Sequence, residues 1–516
     1  MKLFRKDEAP KVLFLTSEEF PFAKVGGLGE VMFSLPRALK KLGCDARVMM
    51  PRYGSIDKSV HKTSLVMEGL EVPTTPDLMG KHLRCNVLRF DATDDPNSPV
   101  TTYFLENQEY YELRSNVYEY TDDTIRFALL SRGCLEFLNL TREWVPDIIV
   151  TVDWMTSYTQ SFLKTDYKDY DRLQRLTAIL SIHNIHVQGP SRRFRFTPEM
   201  ERDDGHGPIP DFFSPRLKHI NAMRRGIMHA DMVNTVSPTY AKELTTPEFG
   251  EGLDGLLKER GDRFLGILNG IDYEKNDPAT DPLLPKNYSA KSLDDRTENK
   301  LALQERFGLE KDPNAFVIGI VSRLARQKGF ALLQPIIEPL IKATNAQLFT
   351  VGTGDTEIMD FLRSFQDKYP KNVRTHLMYD DVLPHLVYGG ADIVLIPSKF
   401  EPCGLIQMEA MRYGAIPVAR RTGGLADSIV DYSPLEKRGI GFLFDEFDPT
   451  ALLIAIIRAF ESWNHRESWK KLQKRAMAAD FSWDASAREY MKLFKKAMAL
   501  KKPARSGAKP FTTSAA

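Results

Sequence analysis

Polar and glycine residues follow apolar runs at seven places in this 516-residue chain. Such runs are typical of buried strands, and open α/β sheets bind ligands outside the carboxyl ends of their strands. We therefore interpret the seven groups as parts of a functional cleft. In chain order they are Lys24 with Gly26 and Gly27, Asp153, His183 with Asn184, Arg323 with Lys328, Gly354 with Asp355, Glu401 with Cys403 and Gly404, and Thr422 with Gly423 and Gly424.

The first of these groups lies in the segment KVGGLGE, between a predicted strand and a predicted helix. A glycine-rich turn in that position indicates a phosphate site, although this one is not the G-x-G-x-x-G dinucleotide fingerprint. Each residue alone also has an ordinary explanation: Lys24 as a solvated loop lysine, Asp153 as a helix N-cap, and His183 as a satisfied core histidine. Glu401 resists such an explanation best, because Pro402 holds it extended just before a helix whose N-terminal N–H groups favour anions.

The bulk composition excludes several classes of protein. The formal net charge is +1, from 70 basic and 69 acidic residues, which argues against a dedicated binder of nucleic acid or anionic membranes. The four cysteines form no C-x-x-C pair, so neither a zinc site nor a disulfide framework is predicted. The chain has no apolar stretch of membrane-spanning length and no signal-peptide pattern, so a cytoplasmic protein is expected.

The elements that must position these residues alternate between strands and helices. Apolar runs rich in valine and isoleucine, separated by helical patterns, predict parallel sheets covered on both faces. In the first helix Val31 and Leu35 share one face, Pro36 should introduce a kink, and Gly43 should cap the end. The predicted strands are KVLFLT, DARVMM, DIIVTV, TAILSI, DMVNTV, FVIGIVS, AQLFTVG, VRTHLM, DIVLIPS and AIPVAR.

Two doubly wound α/β domains that face each other across a cleft are predicted from this order. The polar, proline-rich segment 273–315 interrupts the strand–helix series and is interpreted as a linker or surface excursion. The predicted divisions are an N-terminal domain over 1–265, a C-terminal domain over 266–482, a helix over 483–500 that crosses back to the first domain, and a disordered tail over 501–516. The irregular segment 189–215 is predicted to be a mobile, functional loop.

The motifs at these positions resemble those of the glycogen and starch synthases of the bacterial and plant type, which form glycosyltransferase family 5. The resemblance runs from about Lys11 to Met498 and implies the GT-B fold, with two Rossmann-like domains, an acceptor side first and a nucleotide-sugar donor domain second. It is carried, in the family's order, by KVGGLGEV, VDWMTS, SIHNIHVQG, NTVSPTYAKEL, EFGEGLDGLL, ILNGID, VSRLARQKG, SKFEPCGLIQMEAMRYGAIPVARRTGGLAD and DFSWDASAREY.

The resemblance implies transfer of glucose from a nucleotide-glucose to the non-reducing end of an α-1,4-glucan, with retention at the anomeric carbon. The residues implied in catalysis are Glu401 near the transferred glucose, Arg323 and Lys328 at the diphosphate leaving group, and His183 and Asp153 beside the sugar. Neither a metal nor pyridoxal phosphate is expected, since cations and amides stabilise the leaving group. The implied acceptor is glycogen, starch or a maltooligosaccharide.

The resemblance also implies a set of donor-binding residues. Lys24 would contact the diphosphate and the glucose, Tyr379 would stack on the base, Glu409 would meet the ribose, and Asn269 would lie near the sugar at the interdomain hinge. The complete set is Lys24, Gly26, Gly27, Asn184, Asn269, Tyr379, Cys403, Gly404, Leu405, Glu409, Thr422, Gly423 and Gly424.

Several alternatives remain open at the level of the sequence. Compared with the family pattern, Glu30 replaces an aspartate, Met155 a histidine and Ile406 a threonine, and His186 stands where a small or apolar residue is usual. ADP-glucose is favoured as the donor and UDP-glucose is the alternative. A non-catalytic glucan or nucleotide-sugar binding protein and a retaining transferase with another acceptor are further alternatives. Front-face attack is favoured over a discrete nucleophile.

Overall fold

Two β-sheets form the framework of the chain in the computed structural model, which describes residues 9–93, 95, 98–189 and 203–501. The first sheet has nine strands in the order β3-β4-β5-β2-β1-β6-β7-β8-β9, and the second has six in the order β12-β11-β10-β13-β14-β15. The first comprises β1 (Lys11–Leu15), β2 (Asp45–Pro51), β3 (Ser64–Pro73), β4 (His82–Phe90), β5 (Thr102–Glu106), β6 (Ile148–Val152), β7 (Thr177–Ile182), β8 (Met232–Thr235) and β9 (Phe264–Gly266). The second comprises β10 (Val317–Val321), β11 (Gln347–Val351), β12 (Val373–His376), β13 (Ile393–Ile396), β14 (Ile416–Arg420) and β15 (Phe442–Phe444).

The two sheets share one winding order. In the second sheet every neighbouring pair is parallel, and the six strands run 3-2-1-4-5-6 in chain order. In the first sheet β5, β2, β1, β6, β7 and β8 are parallel in that same order, while β3 and β4 add an antiparallel extension. This is the dinucleotide-fold order, in which the winding direction reverses beside the first strand.

Helices lie between the strands of both sheets. With the first sheet are Gly27–Lys41, Asp123–Leu140, Asp153–Thr156, Tyr158–Lys164, Asp171–Gln174, Ala222–His229 and Asp254–Glu259. With the second are Pro238–Glu243, Arg296–Arg306, Ile337–Thr344, Thr356–Lys368, Leu383–Gly390, Ile406–Arg412, Gly423–Ser428, Pro449–Asn464 and Arg466–Ala478, and the last helix is Trp483–Leu500. None of the described helices is long and apolar enough to span a membrane.

The first helix ends as its sequence predicts, but it begins at Gly27, inside the segment predicted to be a loop. It contains Pro36, and Gly43 follows its C-cap with φ +92°. The Gly43 amide donates to the Lys40 carbonyl, and the Cys44 amide to the Leu39 carbonyl, which is the hydrogen-bond pattern of a Schellman cap. Glycine suits this position because an L side chain is disfavoured at positive φ.

Apolar side chains cover both faces of the second sheet, which confirms the predicted parallel arrangement. One cluster includes Ile318, Leu348 and Leu395, and a second includes Val317, Phe349 and Val387. Neighbouring residues of one strand therefore face different cores, as the alternation of side chains along a strand requires. The strands consequently read as continuous apolar runs rather than as alternating ones.

The chain divides into two compact units. The first comprises residues up to Thr235, Leu244–Leu265 and the chain from Ala487 onward; the second comprises Val236–Glu243 and Gly266–Ser486. The segment 273–315, interpreted as a linker or surface excursion within the predicted C-terminal domain, is not a surface excursion, because it contributes to the core of the second unit. It contains the helix Arg296–Arg306, and Leu284 and Tyr288 are buried in the core. Its proline-rich composition hid these scattered apolar residues.

All ten predicted strands are present, and five further strands were missed. β3 and β4 pair in antiparallel fashion with irregular register, and much of β3 is exposed, so neither gives a continuous apolar run. β9 and β15 have only three residues each, and β5 has five. Of the predicted loop 189–215, residues 190–202 lie outside the described residues, as do residues 502–516 of the predicted tail.

Candidate active site

The candidate residues lie at the carboxyl ends of strands, beside the point where the winding order reverses in each sheet. In the first sheet that point is between β1 and β6, which lead to the Lys24 loop and to Asp153. In the second it is between β10 and β13, which lead to Arg323 and to Glu401. Since ligands of open α/β sheets bind at such points, the topology supports both sets as binding residues.

In the first unit a buried glutamate holds the glycine-rich loop after β1. Glu18 Oε2 accepts hydrogen bonds from the amides of Val25 (2.6 Å) and Gly26 (3.0 Å). Lys24 Nζ donates to Glu30 Oε1 at 2.5 Å, and the Lys24 side chain is 36% exposed. Two loop amides are thus bonded to a protein carboxylate, and the charge that the loop offers to a ligand is that of Lys24.

The two leading glycines of this loop are not required by packing. A Cβ atom added at Gly26 or Gly27 would meet no atom within 4 Å, and neither residue has a positive φ. The chain itself therefore gives no reason for glycine at either position. Space kept open at the start of the helix Gly27–Lys41 is what close approach of a ligand requires.

Asp153 follows β6 in a strained conformation and organises the loop after β7. Its φ is +51°, and its Oδ1 accepts from the amides of His183 (2.7 Å) and Asn184 (3.2 Å). Burial raises the pKa of Asp153 to about 7, and the nearby Glu18 carboxylate adds to this rise. The N-cap of the helix Asp153–Thr156 is Val152, so the capping explanation for Asp153 does not hold.

His183 is positioned as a neutral imidazole. Burial lowers the pKa of His183 to about 4, and its Nε2 lies 3.3 Å from Ser181 Oγ. At neutral pH it can therefore donate or accept a hydrogen bond without carrying charge. Asn184 Oδ1 accepts from the His186 amide at 3.1 Å, which fixes the turn that follows.

In the second unit Glu401 and Lys328 form a largely buried ion pair. Lys328 Nζ donates to Glu401 Oε2 at 2.6 Å, and Ser398 Oγ donates to the same oxygen at 2.9 Å. The side chains of the pair are 13% and 9% exposed, respectively. Lys328 belongs to a short 3-10 helix, and Gly329 follows it with φ +74°. A Cβ at Gly329 would lie 1.9 Å from the Pro397 carbonyl, so this glycine lets the loops after β10 and β13 meet.

Arg323 contrasts with its neighbour Arg326. Arg326 pairs with Glu357 at 3.0 Å on an open surface. The guanidinium of Arg323 is exposed, and among the residues that the structure describes it has no hydrogen-bond or ion-pair partner. An unpaired guanidinium in the segment after β10, which also carries Lys328, leaves this edge of the sheet with positive charge available to an anion.

The segment after Glu401 presents backbone donors. The helix begins at Ile406 with Leu405 as its N-cap, and the amides of Gly404 and Leu405 have no acceptor within the described chain. Gly404 has φ +68°, which glycine adopts readily. Burial raises the pKa of Cys403 to about 12, although a hydrogen bond from the Asn269 backbone opposes the shift, so this thiol stays protonated and structural.

The second glycine turn, TGGLAD, differs from the first because its glycines are required by packing. A Cβ at Gly423 would lie 1.9 Å from the Glu401 carbonyl oxygen, and one at Gly424 would lie 2.0 Å from the Cys403 carbonyl oxygen. The Gly424 amide donates to the Glu401 carbonyl at 3.0 Å. This turn therefore supports the backbone of Glu401 directly.

A glutamate also holds this turn. Glu243 Oε1 accepts from Thr422 Oγ1 (2.8 Å) and from the Gly423 amide (3.0 Å). The arrangement parallels that of Glu18 in the first unit, although Glu243 comes from the helix Pro238–Glu243. In both turns a carboxylate therefore already accepts a hydrogen bond from a backbone amide.

Three further predicted donor residues, Tyr379, Glu409 and Asn269, differ in exposure and in their contacts. Tyr379 is 78% exposed beside the exposed Met378, which leaves a ring face open for stacking. Glu409 Oε2 accepts from the Tyr388 hydroxyl at 3.1 Å. Asn269 is buried, and its Oδ1 has no partner among the described residues.

Sequence reasoning missed the residues that hold the site in place: Glu18, Ser398 and Glu243. Glu18 lies three residues after the end of β1 and Ser398 two residues after the end of β13, so their position near a strand end was the available signal. Glu243 gave no such signal, because a glutamate on a short helix has many uses. The described residues contain no group of three or more His, Cys, Asp or Glu side chains that could hold a metal ion.

Comparison with known proteins identifies relatives along nearly the whole chain. The family model for the starch synthase catalytic domain matches residues 11–259, and that for glycosyl transferases group 1 matches residues 303–476. The glycogen synthase of Gloeobacter violaceus is 39% identical over 490 residues, covering 95% of this chain and 99% of that protein. The glycogen synthase of Thermotoga maritima is 39% identical over 501 residues with the same coverage.

Two solved structures also match nearly the whole chain. The catalytic domain of starch synthase IV from Arabidopsis thaliana, bound to ADP and acarbose, matches with a TM-score of 0.79 and 31% identity over 95% of this chain and 100% of that one. Sucrose-phosphate synthase from Thermosynechococcus elongatus matches with a TM-score of 0.57 and 18% identity, over 95% of this chain and 99% of that one, and so shares the fold. These matches confirm the predicted GT-B fold.

Proposed function

The chain belongs to the glycogen and starch synthase family of glycosyltransferases, and on that premise we propose that it transfers glucose from ADP-glucose to the non-reducing end of an α-1,4-glucan, with retention of configuration. The observation that carries this proposal is the Lys328–Glu401 pair, with the unpaired Arg323 in the same segment after β10 as Lys328. A carboxylate and two cations at one strand edge suit a reaction that separates charge between a sugar and a diphosphate.

The leaving group is the nucleoside diphosphate. When the bond between the glucose C1 and the phosphate oxygen breaks, its electron pair passes to the diphosphate, which gains negative charge. Arg323, Lys328 and the amides of Gly404 and Leu405 would stabilise that charge without a metal ion. The acceptor hydroxyl attacks C1 from the same face and gives its proton to the leaving phosphate oxygen, so configuration is retained.

Glu401 would act on the positive side of the transition state. Its Oε2 is already bonded to Lys328 and Ser398, which fix the carboxylate in place before substrate arrives. Such a preorganised negative charge stabilises an oxocarbenium-like sugar without reorganisation. In the first unit, neutral His183 and strained Asp153 would hydrogen-bond the glucose, and Lys24 would contact the diphosphate.

The choice of ADP-glucose rests on the starch synthase IV relative, which is bound to ADP. The exposed ring of Tyr379 offers a stacking face to either base. Base–aromatic stacking is tolerant of base identity, so UDP-glucose is the competing donor. We further propose a cytoplasmic location, because the described cysteines, all four of the chain, are free thiols and a reducing compartment preserves them.

The test is a donor competition with glycogen as acceptor. ADP-glucose and UDP-glucose, each with a distinct radiolabel, are supplied together, and α-1,4-linked label in glycogen is measured. We expect ADP-glucose to be used at higher kcat/KM. Preferred use of UDP-glucose would refute the donor assignment, and no incorporation from either donor would refute the activity.

A variant separates catalysis from binding. Glu401→Gln should reduce kcat by about 10³-fold or more while ADP still binds in calorimetry, since the lost charge acts in the transition state. The matched control is Glu357→Gln, because Glu357 pairs with Arg326 at a fully open site. Binding of ADP by a wild-type protein without transfer would instead indicate the non-catalytic alternative.

A further inference from the structure

A polar cavity lies in the second unit, at the edge of the β10–β15 sheet opposite to the edge that carries Arg323 and Glu401. Its volume is about 330 Å³, at the low end of the roughly 300–1,000 Å³ of small-molecule sites. Its lining includes Asn314, just before β10, and Asp392, just before β13, so it opens at the amino ends of the strands. Five residues of strand, about 17 Å at 3.3 Å per residue, separate this edge from the edge that carries Arg323 and Glu401.

The charged lining of this cavity is not balanced. Lys300 pairs with Asp392 at 2.7 Å, and Lys470 pairs with Asp294 at 2.7 Å. Two further cations, Arg296 and Arg466, also line the cavity, and within the described chain neither has a carboxylate within ion-pair distance. The side chains that line the cavity therefore carry a net charge of +2.

The contacts of the two arginines leave their charges uncancelled. Arg296 is buried, and its Nη2 donates to the carbonyls of Tyr388 (3.0 Å) and Ala391 (2.7 Å). Carbonyls satisfy hydrogen bonds but do not neutralise a guanidinium. The guanidinium of Arg466 lies 3.5 Å from the centre of the Trp463 ring, a cation–π contact that holds it beside the cavity.

A lysine of the lining responds to this charge. Burial lowers the pKa of Lys300 despite its partner Asp392, and the nearby Arg296 and Arg466 push it in the same direction. Trp469 also lines the cavity, but its Nε1 is itself buried, so the indole contributes ring surface rather than a donor. The cavity thus has a positive potential that the carboxylates of its lining do not cancel.

We propose that this cavity binds a small dianion, specifically a phosphate monoester or inorganic phosphate, between Arg296 and Arg466. Two uncompensated positive charges match the two negative charges that a phosphate monoester carries above its second pKa, near 6. Guanidinium groups suit such oxygens, because their N–H donors form charge-assisted hydrogen bonds. The site is separate from the donor site and its occupancy is independent of transfer.

The test is calorimetry on the intact protein at pH 7.5 with saturating ADP, which blocks the donor site. Inorganic phosphate, ribose 5-phosphate and uncharged ribose are titrated in separate experiments. We expect one binding event for at least one of the two phosphates and none for ribose. Tighter binding of ribose 5-phosphate would identify a monoester site, and equal binding would identify an inorganic phosphate site.

Variants locate the binding event. Arg466→Gln should weaken it by about tenfold or more, through loss of a charge-assisted contact. Lys471→Gln is the control, since Lys471 is exposed on the same helix and does not line the cavity. No heat from either phosphate, or equal affinity in Arg466→Gln and Lys471→Gln, would overturn the proposal.

Discussion

The two GGL turns should respond oppositely to an added methyl group. In KVGGLGE a Cβ at Gly27 would meet nothing within 4 Å, whereas in TGGLAD a Cβ at Gly424 would lie 2.0 Å from the Cys403 carbonyl oxygen. Neither glycine has a positive φ, so alanine is conformationally acceptable at both. Gly27→Ala and Gly424→Ala therefore isolate the effect of space.

The structure gives the size of each effect. Ordinary contact begins near 3.4 Å, so at Gly424 the backbone must shift by about 1.4 Å, the difference between 3.4 and 2.0 Å. Overpacking of this kind costs roughly 1–3 kcal/mol, and displacement of catalytic groups by about 1 Å lowers rates by about 10²-fold. Gly27→Ala should raise the free energy of unfolding of the ligand-free protein by about 0.4–1 kcal/mol, because alanine restricts the unfolded chain.

The assay combines urea unfolding with initial rates on ADP-glucose and glycogen. Gly424→Ala should lower both the urea midpoint and kcat/KM. Gly27→Ala should keep or raise the midpoint and lower kcat/KM by at least roughly tenfold, since the methyl group fills space needed by the donor. The reasoning is wrong if Gly27→Ala unfolds at clearly lower urea, or if Gly424→Ala has wild-type stability and activity.

Two further predictions concern charge. Because the folded pKa of Asp153, about 7, exceeds its unfolded value near 3.9, its favourable contribution is present below about pH 4 and is lost as pH rises towards 7. The stability of the wild type relative to Asp153→Asn should therefore fall between pH 4.5 and pH 7.5 in urea titrations; a constant difference would contradict the assignment. Arg323→Ala should weaken ADP binding about tenfold or more in calorimetry and leave the unfolding midpoint unchanged, because Arg323 is exposed and unpaired. Arg326→Ala, at an exposed Glu357 pair, is its control, and equal losses in the two would point to general charge rather than a specific contact.

Much of the fold could be predicted because six strands of the first sheet and all six of the second are parallel and largely buried. Strands such as β6 and β7 are buried at every residue, so each appears as a mostly apolar run. β3 was not predicted because much of it is exposed, and β15 was not predicted because it has only three residues. The packing of the segment 273–315 was not predicted for another reason. Its buried residues are held by long-range contacts; for example, the Tyr288 hydroxyl donates to the Tyr413 carbonyl at 2.6 Å.

The candidate residues could be predicted from their position after strands, but the residues with which they pair could not. Sequence order places Glu401 and Lys328 after different strands, and only the winding order of the sheet brings them within 2.6 Å. The strain at Asp153 is equally invisible in a sequence, because aspartate occurs in many turns. Pairing and strain are properties of the folded chain, so they had to come from the structure.

The structure also changes how the glycine turns are understood. A glycine-rich turn before a helix usually offers its amides to phosphate. Here Glu18 occupies the amides of Val25 and Gly26, and Glu243 occupies that of Gly423. A carboxylate already bonded there competes with an anionic ligand for the same donors. The amides bonded in this way therefore hold the turns in shape, and in the second unit the charge of a bound diphosphate would fall to the side chains of Arg323 and Lys328, with the free amides that follow Glu401 completing the set.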